Sequence, residues 1–355
     1  MSRDGVQLDT QRPGGVLRAP TRSTDPNVYP NLESHECLIQ DLCANSGFAP
    51  RIDVQGFEKT RIAHLKKFQD LLASLRHLNH LTPHYAKQLD RALLGQMIPL
   101  NHGKRLRVVF VAGEGTMMRI TGPNGMIVNA GDSDDVGMNH KIGAPAVHGD
   151  QDVRGTPVRQ MLKGFGPLLF NHEAPDGKNR KSPLFLINLW IPLQQITQPL
   201  VLMDESSWDR KAHQLRYALP IDHILERNED QKMNDIWTVL YDPGQRWYTS
   251  SSMYSSEAYI FNTLSAPHGA TTLPGEDRAE QLYKALQALC DDNTPLAVNQ
   301  ALHPECPVPL RQALSAMEAL LSETNYDSAW KRRARVAMDS VVRKSIEMRM
   351  LAWIH

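Results

Sequence analysis

The chain has 355 residues, of which 41% are hydrophobic, and this length allows one large domain or two modest ones. Its 39 basic and 39 acidic residues balance, so no overall charge favours binding to nucleic acid or to an anionic membrane. No secretory signal pattern stands at the N-terminus, and no apolar run approaches membrane-spanning length. We therefore expect a soluble cytoplasmic protein.

The cysteines show neither a disulfide pattern nor a structural zinc pattern. Cys37, Cys43, Cys290 and Cys306 form no CxxC pair and are too sparse for a disulfide scaffold. We expect all four to be reduced thiols.

The first hundred residues combine an irregular segment with two predicted helices. Residues 1 to about 55 are rich in Pro, Gly, Asp and Asn and show little periodicity, which indicates an irregular arm. Apolar residues recur at helical spacing from 57 to about 78, and a second helix is predicted from about 83 to 94. Residues 1–104 are thus expected to form an arm and helices that pack on a core.

From residue 106 the pattern changes to short apolar runs separated by turns. The segment Gly113-Glu114-Gly115 lacks a third glycine at dinucleotide-binding spacing, so a Rossmann fold is weakly supported. Pro192 is expected to end the strongest run, and a short helix is predicted over 157–169. A mainly β fold of the sandwich or jelly-roll type follows. Strands are predicted over 106–111, 117–120, 126–128, 184–191, 199–203, 236–241, 246–250 and 258–264.

A helical region interrupts this β pattern before the last strand. Apolar stripes at helical spacing occur within 276–337, and the final residues read as a strand again. We predict a single catalytic domain, with a core formed by 105–275 and 338–355 and a helical insertion at 276–337.

A histidine and a carboxylate two residues apart form a candidate metal site. On an extended segment, His148 and Asp150 point to the same face. A second histidine from elsewhere would complete a two-histidine, one-carboxylate triad with open metal positions. His268 suits this role because it ends a strand-like run beside a glycine, whereas His303-Pro304-Glu305 lies in the proline-rich insertion. The alternative for His268 alone is a loop or core histidine.

The last strand offers a cationic anchor for a carboxylate cosubstrate such as 2-oxoglutarate. Arg343 can bind a carboxylate bidentately, and Ser345 lies on the same strand face while Lys344 points away. Arg349 shares that face and is a rival anchor or a second carboxylate binder. Because Glu347 stands between the arginines, a salt-bridged edge strand is the alternative interpretation.

In order along the chain, these motifs resemble iron(II)/2-oxoglutarate-dependent oxygenases. The finer pattern resembles the branch of the cephamycin 7α-methoxylation subunit and related fungal biosynthetic oxygenases, and the layout is also similar to aziridine-forming amino-acid oxidases. The separation of His268 from Arg343 is longer than in that branch, which leaves the choice between Arg343 and Arg349 open. The resemblance covers roughly residues 140–273 and the last strand, through the segments NLWIPL at 188–193, PLVLMD at 199–204, QRWY at 245–248, APH at 266–268 and RKSIEMR at 343–349.

The resemblance implies a fold, a site and a reaction. The expected fold is a double-stranded β-helix, or jelly roll, with N-terminal helices and the helical insertion. His148, Asp150 and His268 are expected to bind iron(II), while Arg343 and Ser345 hold 2-oxoglutarate. With O2, such a site oxidises an unactivated C–H bond of a small metabolite or amino acid and converts 2-oxoglutarate to succinate.

Four further residues are candidates for the substrate pocket: Trp190, Arg246, Tyr248 and Met118. Core packing is the alternative for each aromatic residue, and a buried Arg246 beside the site would indicate a substrate carboxylate. Two other functions remain open, a jelly-roll binding module without iron and a zinc hydrolase that uses the same triad. The arm and the insertion suggest a lid or a homodimer interface.

Overall fold

A computed structural model describes residues 7–8, 16–18, 35, 37–44, 47–112, 115–128, 138–140, 147–151, 169–174, 177–194, 197–220 and 233–355. The helix predicted over 157–169 therefore lies outside the described residues, apart from Leu169.

One sheet carries the two strands that begin at His148 and at His268. Its order is β1-β2-β14-β15-β9-β18-β13-β16-β3, so the strand of His148 pairs directly with the strand of His268. The strands are β1 (Gln7–Leu8), β2 (Val16–Arg18), β3 (Ile39–Asp41), β9 (His148–Gly149), β13 (Leu200–Met203), β14 (Gln214–Pro220), β15 (Met233–Val239), β16 (Trp247–Thr249) and β18 (His268–Ala270).

A second sheet carries the last strand of the chain near its centre. Its order is β4-β17-β12-β19-β6-β5; β7 pairs with the first half of β19, and β8 pairs with β7. The strands are β4 (Phe57–Arg61), β5 (Met97–Pro99), β6 (Arg105–Val111), β7 (Met117–Thr121), β8 (Asn139–His140), β12 (Leu184–Gln194), β17 (Glu257–Asn262) and β19 (Arg343–Ile354). A separate hairpin consists of β10 (His172–Ala174) and β11 (Gly177–Asn179).

Helices cover the outer face of the second sheet. The residues of β19 alternate between this outer face and the inner one, because successive side chains of a strand point to opposite sides. Ile346, Met348 and Met350 pack in the hydrophobic cluster that the helices share, while Arg343 and Arg349 face inward. These helices are α1 (Lys66–Leu75), α2 (Pro83–Leu93), α4 (Glu276–Asp292), α5 (Val308–Leu321) and α6 (Ser328–Ser340); the single turn α3 (Arg210–His213) lies elsewhere, between β13 and β14 in the chain.

The two sheets form a nearly closed barrel, which confirms the expected jelly-roll core with helical additions. From β12 onward the chain passes back and forth between the sheets: β12 lies in the second, β13 to β16 in the first, β17 in the second, β18 in the first and β19 in the second. This alternation is the winding of a double-stranded β-helix. Helices α4, α5 and α6 lie between β18 and β19 in the chain.

Three predictions about single elements are wrong. Phe57–Arg61 is a strand rather than the start of a helix, because pairing with β17 overrides local helical spacing. Residues 126–128 form no strand; the amide of Met126 closes a turn onto Pro123. Pro192 does not end its strand, because β17 pairs only as far as Trp190 and the register with β19 shifts just beyond Pro192.

The region before residue 105 also differs in part from the arm and helices that we expected. It contributes β3, β4 and β5 to the two sheets in addition to α1 and α2. The proposed division of the chain into three parts stays a prediction. In the described part of the chain, no helix has the length and apolar character needed to cross a membrane.

Candidate metal centre

The pairing of β9 with β18 brings the two predicted histidines together. His148 and His268 are register partners, and their ring centroids lie 4.5 Å apart. The nearest oxygen of Asp150, Oδ1, lies 3.8 Å from His148 Nε2 and 3.7 Å from His268 Nε2. One ligand atom from each residue lies within 4.8 Å of the others. The predicted triad is thus a compact group of two imidazoles and one carboxylate.

The carboxylate of Asp150 is buried and held at both oxygens. Asn188 Nδ2 donates to Oδ2 at 3.2 Å, and Arg349 Nη2 donates to Oδ1 at 3.2 Å. Burial alone would raise the pKa of Asp150, but the positive charge of Arg349, followed by the two histidines, holds it well below its usual range. Asp150 is therefore ionised, as a metal ligand must be.

His268 is held in a form that suits metal binding. Its Nδ1 lies 3.1 Å from the carbonyl oxygen of Ala266, which can only accept, so Nδ1 carries the proton. Nε2 is then the ring nitrogen that faces Asp150 and His148. The segment before His268 is fixed in turn, because Arg210 donates to the carbonyl of Ser265 at 2.6 Å.

These residues fit a divalent metal ion. Two imidazole nitrogens and one carboxylate oxygen converge from one side, which is the donor set and arrangement of a facial triad. The carboxylate of Asp150 and the imidazole of His268 are buried, and each is oriented by a hydrogen bond to a neighbour. The group has the composition that iron(II) or zinc prefers.

Arg343 lies on the inner face of β19 and is almost fully buried, at 2% exposure. Its Nη1 donates to the carbonyl of Gln198 at 2.8 Å, and its Nη2 lies 3.4 Å from Ser345 Oγ. Among the described residues, no carboxylate lies within ion-pair distance of its guanidinium. Burial lowers the pKa of Arg343 to about 10, so the group remains charged at neutral pH.

Several buried polar atoms on this inner surface have no hydrogen-bond partner among the described residues. They share a face because Thr121 is the register partner of Arg343, and Asn188 is the partner of Arg349. Buried polar atoms are nearly always bonded, so an unpaired set indicates a place for a polar ligand. The atoms are Thr121 Oγ1, Asn188 Oδ1, Trp190 Nε1, Arg343 Nε and Arg349 Nε.

The other charged residues of β19 already have partners within the chain. Arg349 pairs with Asp150, and Glu347 pairs with Arg119 at 2.6 Å. Lys344 points to the opposite face and pairs with Asp339 at 2.9 Å. The alternative of an edge strand is wrong, because β19 lies between β12 on one side and β6 and β7 on the other.

The four candidate pocket residues have different surroundings. Trp190 is buried beneath the guanidinium of Arg343, and Tyr248 packs against Phe48 and Phe57. Met118 belongs to the cluster beneath the helices, on the face of β7 that points away from the triad. Arg246 is not the buried arginine for which we looked: its side chain is half-exposed and donates to Asp204 at 2.9 Å.

Arg119 is an inward-facing residue that the sequence analysis missed. It stands one position after Met118, opposite Ser345 in the register of β7 with β19. Alternation along β7 would have identified it once the pairing with β19 was known.

A family model described as "Oxidoreductase/YMDC permease-like domain" matches residues 8–274, which is well over half of the chain. No curated protein matches the chain. Two solved structures are similar, both of an iron and alpha-ketoglutarate-dependent endoperoxidase, NvfI, the second described as having a different conformation. The first is 12% identical, with 89% of this chain and 84% of that chain covered and a TM-score of 0.42. The second is 13% identical, with 89% and 82% covered and the same TM-score.

The family description names an oxidoreductase, and the histidine-carboxylate group could hold a metal ion. The jelly-roll core agrees with the fold that the resemblance to iron(II)/2-oxoglutarate oxygenases implied. The chain is an oxidoreductase and belongs to the Oxidoreductase/YMDC permease-like domain family.

Proposed function

We propose that the protein is an iron(II)/2-oxoglutarate-dependent dioxygenase that oxidises an unactivated C–H bond of a small metabolite or amino acid. The observation that carries this proposal is Arg343, a buried charged arginine without a carboxylate partner among the described residues. Leaving a guanidinium in such surroundings costs several kcal/mol unless an anion binds it. A carboxylate of 2-oxoglutarate is the anion that this position suits.

The assignment of the residues follows from their surroundings. We assign His148, Asp150 and His268 as iron ligands, and Arg343 with Ser345 as the anchor of the distal carboxylate of 2-oxoglutarate. Arg349 is the weaker choice of anchor because Asp150 already neutralises it. When bound, iron(II) and 2-oxoglutarate supply O2-dependent oxidation of a C–H bond, with conversion of 2-oxoglutarate to succinate and CO2.

The protein's own contribution is orientation and exclusion of water. Asn188 and Arg349 hold the carboxylate of Asp150, and the carbonyl of Ala266 holds the proton of His268 on Nδ1. Trp190 covers one face of the Arg343 guanidinium and leaves its edge to donate to a carboxylate. The inner surface around these groups is buried, which strengthens charge-assisted hydrogen bonds.

The outcome of the oxidation depends on the substrate. Hydroxylation, desaturation and oxidative ring closure such as aziridine formation all follow from the same iron site. The resemblance to the fungal biosynthetic branch favours a small metabolite or amino acid of secondary metabolism.

The test combines metal loading with a product assay. Protein reconstituted anaerobically with iron(II) is expected to bind about one ion and to develop a weak visible charge-transfer band when 2-oxoglutarate is added. Oxygen and a panel of amino acids, small peptides and terpenoid acids then follow, and substrate-dependent succinate is measured. Substoichiometric iron together with no succinate from any substrate would contradict the proposal.

The same assay separates the two alternatives. A jelly-roll binding module would bind no iron at the triad. A zinc hydrolase would bind metal, but 2-oxoglutarate would not perturb the metal site, since Arg343 and Ser345 would have no role there.

A further inference from the structure

Arg349 contacts the oxygen of Asp150 that faces the two histidines. Its Nη2 lies 3.2 Å from Oδ1, and this oxygen is also the one that lies 3.7 Å and 3.8 Å from the two imidazole Nε2 atoms. The guanidinium therefore binds the carboxylate on its ligand side. A positive charge stands there before any metal ion arrives.

Asn188 holds the same carboxylate in a different way. Its amide is neutral and donates to Oδ2, the oxygen that Arg349 does not contact. The chain thus provides a matched pair of residues around Asp150. One donates a hydrogen bond without a charge, and the other brings a full positive charge to the ligand oxygen.

Gly115 leaves the space that the side chain of Arg349 occupies. A Cβ atom added at Gly115 would lie 2.8 Å from the Cβ and 3.3 Å from the Cγ of Arg349, so only glycine leaves room for the arginine stem there. The side chain is 20% exposed, and among the described residues its only anionic partner is Asp150. Its Nε has no acceptor among the described residues. No other described acid offers a competing partner.

We propose that Arg349 is a positioning residue that neutralises Asp150 in the metal-free protein and competes with the metal ion for it. This inference rests on the proposed function, because it assumes that His148, Asp150 and His268 bind a divalent metal. Without a cation, a buried carboxylate between two imidazoles would destabilise the barrel. With a metal ion bound, the same guanidinium is a like charge close to the ion and opposes it. Arg349 thereby stabilises the empty site and limits metal affinity.

The expected effect of Arg349 on metal affinity is opposite to that of most residues that hydrogen-bond a metal ligand. Groups that orient a ligand ordinarily strengthen metal binding, and their removal weakens it about 10- to 100-fold. Asn188 is expected to behave in that way. Arg349 is expected to behave in the opposite way, because the removal of its charge relieves repulsion with the ion.

The experiment measures zinc affinity by competition with a chromophoric chelator, and the thermal midpoint of the metal-free protein. Arg349→Gln is expected to bind zinc about tenfold more tightly than the wild type and to melt at a lower temperature when metal-free. Arg349→Lys keeps the charge and is expected to stay near the wild type in both measurements. Asn188→Ala is the matched control, and it is expected to bind zinc more weakly.

Arg349→Met serves as a second variant if Arg349→Gln does not fold, because it retains an apolar stem against Gly115 without the charge. Weaker zinc binding in the uncharged variants, in parallel with Asn188→Ala, would overturn the inference and leave the proposed function intact. A wild type whose zinc affinity is unchanged by His148→Ala would overturn both.

Discussion

The guanidinium carbon of Arg343 lies 5.3 Å from the ring centroid of Trp190, on the buried inner face of the second sheet. The indole covers one face of the guanidinium, and a cation over a desolvated tryptophan ring is stabilised by about 2 kcal/mol. The Nε of Arg343, like the Nε1 of Trp190, has no partner among the described residues. The Arg343 guanidinium, held against Trp190, is therefore suited to binding a planar anion such as a carboxylate.

Arg343→Gln is expected to weaken 2-oxoglutarate binding to the metal-loaded protein by about 2–4 kcal/mol, or roughly 30- to 1,000-fold. The reason is the loss of the charged fork that faces the carboxylate. Calorimetry on anaerobic protein measures the change. Arg333→Gln, which removes an exposed arginine paired with Glu323, is the control and is expected to bind normally.

Arg349→Gln decides the choice of anchor that the sequence left open. We expect it to leave 2-oxoglutarate affinity within a few-fold of the wild type, because Arg349 is engaged with Asp150. A large loss of 2-oxoglutarate affinity in Arg349→Gln, with none in Arg343→Gln, would make Arg349 the anchor instead.

His148→Ala and His268→Ala are each expected to lower iron and zinc affinity by at least 100-fold, since each removes one of three ligands. Metal content after dialysis, measured by atomic emission, checks this. The exposed His303 lies in the His-Pro-Glu pattern that we rejected as a metal site, and its Nδ1 accepts from the amide of Glu305. His303→Ala should retain full metal content. Loss of metal in this variant would support His303-Pro304-Glu305 as a metal site.

Glu58 is expected to make the folded protein less stable as the pH rises. Burial raises the pKa of Glu58 to about 7, although the amides of Asn101 and Ile52 donate to its carboxylate. The folded state therefore holds a proton that the unfolded state releases near pH 4.5. The stabilisation is complete below about pH 4.5 and is lost as the pH rises through about 7, by up to about 3 kcal/mol.

Glu58→Gln removes this titration. Urea unfolding at pH 5 and pH 8 should show a smaller loss of stability in the variant than in the wild type. An equal loss in both proteins would show that Glu58 is not the group responsible.

Two glycines with positive φ are expected to differ in their tolerance of alanine. At Gly275, with φ of 98°, a Cβ would lie 2.7 Å from Cys306 Sγ, so Gly275→Ala adds a clash to the backbone strain. At Gly103, with φ of 75°, nothing lies within 4 Å. Denaturant unfolding should show a loss of about 1 kcal/mol for Gly103→Ala and about 2–4 kcal/mol for Gly275→Ala. Equal losses would mean that the helical insertion adjusts around the new methyl group.

Local patterns in the sequence pointed to part of the candidate triad, because strand alternation places residues two apart on one face. His148 with Asp150, and Arg343 with Ser345, could be paired on that ground alone. The choice of His268 rested on its place after a strand-like run, beside a glycine, and on the resemblance; in the structure His268 begins β18. Strands were also predicted over 106–111 and at the end of the chain, and the structure has them at Arg105–Val111 and Arg343–Ile354.

What the sequence alone could not decide was which partner each side chain meets. Local spacing predicted a helix from residue 57, and only the pairing of β4 with β17 makes Phe57–Arg61 a strand. The face of Met118 and the role of Arg119 depend on the register of β7 with β19. Arg343 and Arg349 stand on one face of one strand, and the sequence left the choice between them open. The tertiary structure separates them, because Asp150 lies 3.2 Å from Arg349, whereas Arg343 is buried with no acid at ion-pair distance among the described residues.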